Sequence, residues 1–210
     1  VFAYNVQTAC DAHGWVLGYD VTSGNTHDTQ AFPNMFEKIK RFNPDYLVAD
    51  AGYKTPTIAN YLINEAHVTP VFPYTRPRRK PENRDIVYDE YFDCYIDEAQ
   101  RIYHYRTTNR KGYKEYQMDS QDDDFCERVI TRHVWQEALE ECEHIRHQVG
   151  MKERYKQRKE SIERLFGTAK EHHGMRYTQL VGKELMDFKV GLTFACLNMK
   201  KYVKLLAERS

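Results

Sequence analysis

The chain has 210 residues, of which 41% are apolar, 13% aromatic and 30% charged, with a mean hydropathy of -0.79. That is enough apolar material for one substantial domain, or a domain carrying an insertion, and it argues against both disorder and a membrane span. Thirty-one basic residues balance thirty-one acidic ones, but unevenly: residues 1–84 sum to about +1, 85–150 to about -8 and 151–210 to about +7, which suggests either separate surfaces or a salt-bridged contact between segments.

Residues 2–10 and 15–22 are rich in aromatic and β-branched side chains, and the Asp11-Ala12-His13-Gly14 run between them supplies turn chemistry, so a β-hairpin is expected. From Asp28 the spacing turns helical, with Phe32, Met35, Phe36 and Ile39 three and four apart, and Asp28 is expected to be the N-cap. Residues 46–49 read as a buried strand ending at Asp50-Ala51-Gly52-Tyr53. A helix through Ile58, Leu62 and Ile63 and a strand at 68–72 follow, and this alternation predicts an α/β sheet.

Residues 73–84 hold Arg76, Arg78, Arg79, Lys80 and Arg84 among three prolines, a density that predicts an exposed basic loop. Short Tyr-rich runs at 86–95, 101–107 and 113–118, then an acidic tract at 119–124, predict a small antiparallel sheet inserted into the α/β core. A strand or helix start is expected near 129–134. Residues 136–172 are strongly helical with a possible break at Gly150. A last helix at 183–209 is expected to bury Leu185, Phe188, Leu192, Cys196, Met199 and Val203.

Five widely spaced cysteines include no CxxC pair, which fits a reduced cytoplasmic setting better than a disulfide framework. Cys142, His144 and His147, and the pair His172 and His173, lie in charged helical contexts where solvent-facing histidines are the simpler reading than a metal site. Asp50 sits where α/β sheets place functional groups, at the carboxyl end of a strand. Glu163 and Lys170, seven apart, project from one helix face beside the apolar stripe Ile162, Leu165, Phe166 and Ala169.

These motifs in this order resemble the catalytic domain of DDE transposases from bacterial insertion sequences. The residues that carry the resemblance are Gly24-Asn25-Thr26-His27-Asp28, Asp50-Ala51-Gly52-Tyr53, and then Tyr155, Arg158, Glu163, Phe166 and Lys170. It implies an RNase H-like mixed sheet with flanking helices, interrupted by a mainly β insertion. The core would comprise residues 1–72 and 150–210 and the insertion residues 73–149. It also implies that Asp50 and Glu163 are catalytic carboxylates holding two divalent ions, Mg²⁺ or Mn²⁺, for cleavage at transposon ends and strand transfer. Arg76, Arg78, Arg79, Lys80, Tyr155, Arg158, Lys170 and Arg176 would contact double-stranded DNA, in a bacterial, nucleoid-associated enzyme able to form a homodimer in a synaptic complex.

Two departures from the family pattern stand out. Four residues separate Arg158 from Glu163 where many relatives have three, and only Cys94 and Cys126 remain of an insertion often rich in cysteine. The fold opens with three antiparallel strands, of which the first bears the first catalytic Asp, but only two precede the first helix here. The chain is therefore expected to be a fragment, inactive alone, with the first Asp upstream of Val1; Asp11 is a weaker candidate because a hairpin tip is usually a turn. Alternatives are a catalytically silent DNA-binding or dimerisation module and a structure-selective nuclease of the same fold. A tyrosine recombinase is discounted, since its His would fall at Glu143 relative to Arg146.

Overall fold

The computed structural model describes residues 3–76, 85–118 and 128–209. Strands β1 (Tyr4–Cys10) and β2 (Val16–Ser23) pair antiparallel with Tyr4 opposite Ser23. Their connection is made by Asp11, whose Oδ1 accepts from the backbone N–H groups of His13 at 2.9 Å and Trp15 at 2.8 Å. Asp11 is thus a turn residue here.

Helix α1 (Asp28–Ile39) lays Ala31, Phe32, Met35, Phe36 and Ile39 onto the core. Burial of each larger side chain contributes about 1.5–3 kcal/mol, so Phe36→Ala alone would cost about 3–5 kcal/mol. The N-cap is His27, whose Nδ1 accepts from Thr29 N. This corrects the expectation for Asp28: it is the first helical residue, and its carboxylate turns instead toward β1.

Strand β3 (Tyr46–Val48) pairs in parallel with β4 (Thr69–Val71) across the crossover helix α2 (Pro56–Asn60). Thr55 caps α2 through its hydroxyl, and Pro56 occupies the first turn, where its missing N–H costs nothing. Among the described residues no strand pairing joins the β1–β2 hairpin to β3–β4. Side chains of both, Ala9 and Leu17 on one side and Leu47 and Ala49 on the other, nevertheless pack on the core built by α1 and α2.

The Tyr-rich region forms a five-stranded antiparallel sheet in the order β5 (Ile86–Asp89), β6 (Cys94–Asp97), β7 (Ile102–Thr108), β8 (Tyr113–Met118) and β9 (Ile130–His133). Tyr103 and Tyr116 are buried at its centre. Asp93 satisfies two of the tyrosines, accepting from Tyr88 at 2.7 Å and Tyr116 at 2.6 Å, and it also pairs with Lys114. The sequence runs at 77–84 and 119–127, with Arg78, Arg79, Lys80 and the acidic tract, lie outside the described residues.

Helix α3 (Gln136–His147) packs Ala138 and Cys142 on the first core, and Gly150, at φ 86°, allows the chain to turn before α4 (Met151–Arg158). A π-helical turn (Lys159–Glu163) joins α4 to α5 (Arg164–His172). Helix α6 (Lys183–Glu208) then crosses β2, where Asn198 both accepts from Val16 N and donates to Val16 O at 3.0 Å.

The buried face of α6 is Met186, Val190, Thr193 and Phe194. The expected inner face is wrong: Leu185, Phe188, Leu192, Met199 and Val203 are exposed. The helix carries two apolar stripes on opposite sides, and periodicity cannot say which one docks. Close approach decides it, because Gly191 lies against Tyr19 so tightly that an added Cβ would meet the phenol oxygen.

Candidate active site at the end of β3

Asp50 follows β3 in extended conformation, and its two oxygens have different partners. Oδ1 accepts from Ala51 N at 2.7 Å and so caps the short 3-10 turn Ala51–Tyr53. Oδ2 accepts from Arg158 Nη2 at 3.1 Å. The capping and functional readings of this residue are therefore compatible.

Arg158 is delivered by α4, whose position beside β3 is held by Arg154 stacked 4.0 Å over the Tyr46 ring. One helical turn later, Arg158 reaches past the end of the strand. Its other nitrogen, Nη1, lies 3.4 Å from Oε1 of Glu163. The four intervening residues are accommodated by the π-helical turn, which holds one residue more than an α-turn and keeps positions 158 and 163 on one side. The unusual spacing is thereby explained. Both carboxylate side chains are more than half exposed, whereas the Arg158 side chain between them is only 21% exposed.

Behind this triad stands Asp28, with Oδ1 accepting from Asn5 at 2.8 Å and Gln7 at 3.2 Å. A Cβ at Gly52 would come within 3.2 Å of Asp28 Oδ2, so the glycine lets the Asp50 turn close onto that carboxylate. Tyr53 packs in the same place; burial pushes its hydroxyl pKa up, the charges of Asp28 and Asp50 add to this, and Arg158 opposes it. Tyr155 is likewise raised by burial, with Arg158 opposing and Asp50 and Glu163 reinforcing. Sequence reasoning missed Asp28, Asn5 and Gln7 as part of this neighbourhood. The signals for them are the Gly24–Asp28 and Tyr4–Gln7 runs, both family-like, and the polar pair at positions 5 and 7, which alternation puts on one strand face.

The other expected contacts are dispersed. Lys170 is exposed farther along α5, and Arg176 pairs with Glu171, away from Asp50. Arg76 is exposed at the end of the described stretch after β4, and Arg78, Arg79 and Lys80 lie outside the described residues. Among the described residues no three His, Cys, Asp or Glu side chains form a group able to hold a metal ion. Cys142 is buried, with its thiol pushed up to about 12 chiefly by that burial. What Asp50 and Glu163 do offer is two carboxylates converging on one positive group, the Arg158 guanidinium.

Residues 1–199 match the family model described as "Transposase DDE domain". The chain belongs to that family. No curated protein and no solved structure matches it significantly. Membership makes the α/β core RNase H-like and gives the chain a general role in transposition, with DNA as partner and divalent metal ions as the family's usual cofactor. No helix among the described residues is long and apolar enough to cross a membrane.

Proposed function

We propose that this transposase domain catalyses DNA cleavage at element ends and strand transfer, with Asp50 and Glu163 as two of the ligands for a pair of Mg²⁺ or Mn²⁺ ions. The observation that carries the reading is the convergence of both side chains on Arg158 from segments more than a hundred residues apart. Asp50 and Glu163 would hold the ions, which when bound would supply activation of the attacking oxygen and stabilisation of charge on the leaving one. Arg158, in this reading, keeps the two carboxylates from repelling each other until the ions and DNA arrive. Its guanidinium and the Lys170 ammonium then contact phosphate, while Tyr155 and Arg176 flank the nucleotides. The basic residues Arg76, Arg78, Arg79 and Lys80 hold the duplex without reading its sequence.

Residues 1–72 and 150–210 form the catalytic core and 73–149 an insertion, in a cytoplasmic, nucleoid-associated bacterial enzyme. The test is strand cleavage by the transposase carrying this domain. Asp50→Asn and Glu163→Gln should each abolish cleavage and leave DNA binding nearly unchanged, because charge and ligand capacity change while shape hardly does. Cleavage retained in either variant rejects the assignment. An unaltered protein that binds DNA but never cuts it supports a catalytically silent module instead.

A further inference from the structure

Lys54 closes the turn that Asp50 opens. The chain leaves β3 through Asp50, makes the 3-10 turn Ala51–Tyr53 and ends it at Lys54, whose backbone N–H donates to Ala51 O. Ala51 and Gly52 are exposed and offer at most a methyl group for packing, so the turn is held at its ends. Asp50 Oδ1 secures the first end, but only to Ala51 N, within the turn itself. Lys54 ties the second end to the rest of the protein.

The Lys54 side chain is only 8% exposed; its ammonium pairs with Glu143 of α3 and lies 3.5 Å from Pro73 O. Ordering and desolvating a lysine there is costly, and it persists only because both oxygens are in place. Pro73 belongs to the chain entering the five-stranded sheet and α3 to the chain leaving it. The two connections of that sheet therefore meet at one ammonium, four residues from Asp50. A second clasp stands beside it: Arg146 donates from Nε to Glu143 at 2.8 Å and sits 5.2 Å over the Tyr74 ring.

We infer that Lys54 is a positioning residue, which fixes the Asp50 turn to both connections of the five-stranded sheet and so sets where Asp50 stands against Arg158 and Glu163. The mechanical link follows from these contacts alone; its consequence for strand cleavage rests on the catalytic reading of Asp50 proposed above. An ordinary packing role would loosen the shared core, in which α1, α2 and α3 all take part. A positioning role loosens the turn and leaves α1 as it was.

Backbone ¹⁵N relaxation of the whole chain separates the two, with Lys54→Met removing the ammonium and keeping an unbranched stem. Order parameters at Ala51, Gly52 and Tyr53 should fall from about 0.85 to below about 0.6, while those of Phe32, Met35 and Phe36 stay near 0.85. Glu143→Gln, which keeps an acceptor and changes little in shape, should move the same three turn amides in the same direction by less. In the transposase carrying this domain, Lys54→Met should lower kcat for cleavage by about ten- to hundredfold with KM for DNA unchanged. An unaltered protein that never cleaves would reject the catalytic reading and leave the order parameters to decide the role of Lys54. A turn that stays rigid in both variants, a loss of order shared equally by α1, full kcat with a loosened turn, or a change in KM alone would each overturn the proposal.

Discussion

Arg158 bridges Asp50 and Glu163, donating to Oδ2 of the first at 3.1 Å and lying 3.4 Å from Oε1 of the second. One guanidinium thus occupies the place where two carboxylates from β3 and the α4–α5 turn would otherwise meet a cation. Any divalent ion must compete with it. Arg158→Gln should therefore tighten Mn²⁺ binding by about two- to fivefold, since exposed ion pairs contribute up to about 1 kcal/mol. Isothermal titration of the variant checks this, and equal or weaker binding would show that Arg158 does not shield the pair.

A second ion pair governs stability at low pH. Lys54, 8% exposed, pairs with Glu143, which also accepts from Arg146 Nε at 2.8 Å. Burial, the largest single influence, would raise the Glu143 pKa, but the hydrogen bonds from Lys54 and Arg146, with their charges, together hold it below the usual carboxylate range. A folded-state pKa below the unfolded one gives stability that is complete above the unfolded value and is lost as pH falls through the folded one. Glu143→Gln should cost about 1–3 kcal/mol at neutral pH, because buried Lys54 loses its charged partner. The gap between the two proteins should begin to narrow as the pH falls below the unfolded carboxyl value of about 4.3 and close only below the lower folded one. Denaturant melts at pH 7 and pH 3.5 read it directly; a gap that persists unchanged at the lower pH contradicts the linkage.

Most of the architecture is legible in the sequence because single elements declare themselves. The hairpin, α1, the β3 strand tip and the Tyr-rich sheet each combine a clear period with turn residues at their ends. What is not legible depends on choices between elements. Asp28 reads as a cap, yet His27 takes that role and frees its carboxylate for Asn5 and Gln7. The outer stripe of α6 reads as its core face because it is the more apolar of two, whereas the small Gly191 and the Asn198 clasp on Val16 fix the opposite side. At the site, Asp50 and Glu163 are readable from motif and position. Their shared partner is not, since the one extra residue between Arg158 and Glu163 shows in the sequence only as an odd spacing, without the π-helical turn that aligns the two.

DNA affinity should be set by counterion release. The segment 151–210 carries a net charge of about +7, and Arg78 and Arg79 belong to a further basic run in the sequence. Arg78→Glu with Arg79→Glu should lower affinity for unrelated duplexes about equally and reduce the slope of log K against log salt by about 2, one for each phosphate no longer neutralised. Fluorescence anisotropy at several salt concentrations measures this. An unchanged slope would mean that these arginines do not touch the backbone.

If Asp50 and Glu163 jointly hold a divalent ion, Mn²⁺ titration followed by water-proton relaxation detects it without requiring cleavage. The unaltered chain should bind Mn²⁺ weakly, because two carboxylates leave most of the ion's coordination to water. Asp50→Asn and Glu163→Gln should each remove that binding, and the double variant should look like either single one. Binding in both single variants equal to that of the unaltered chain would show that these two carboxylates hold no ion.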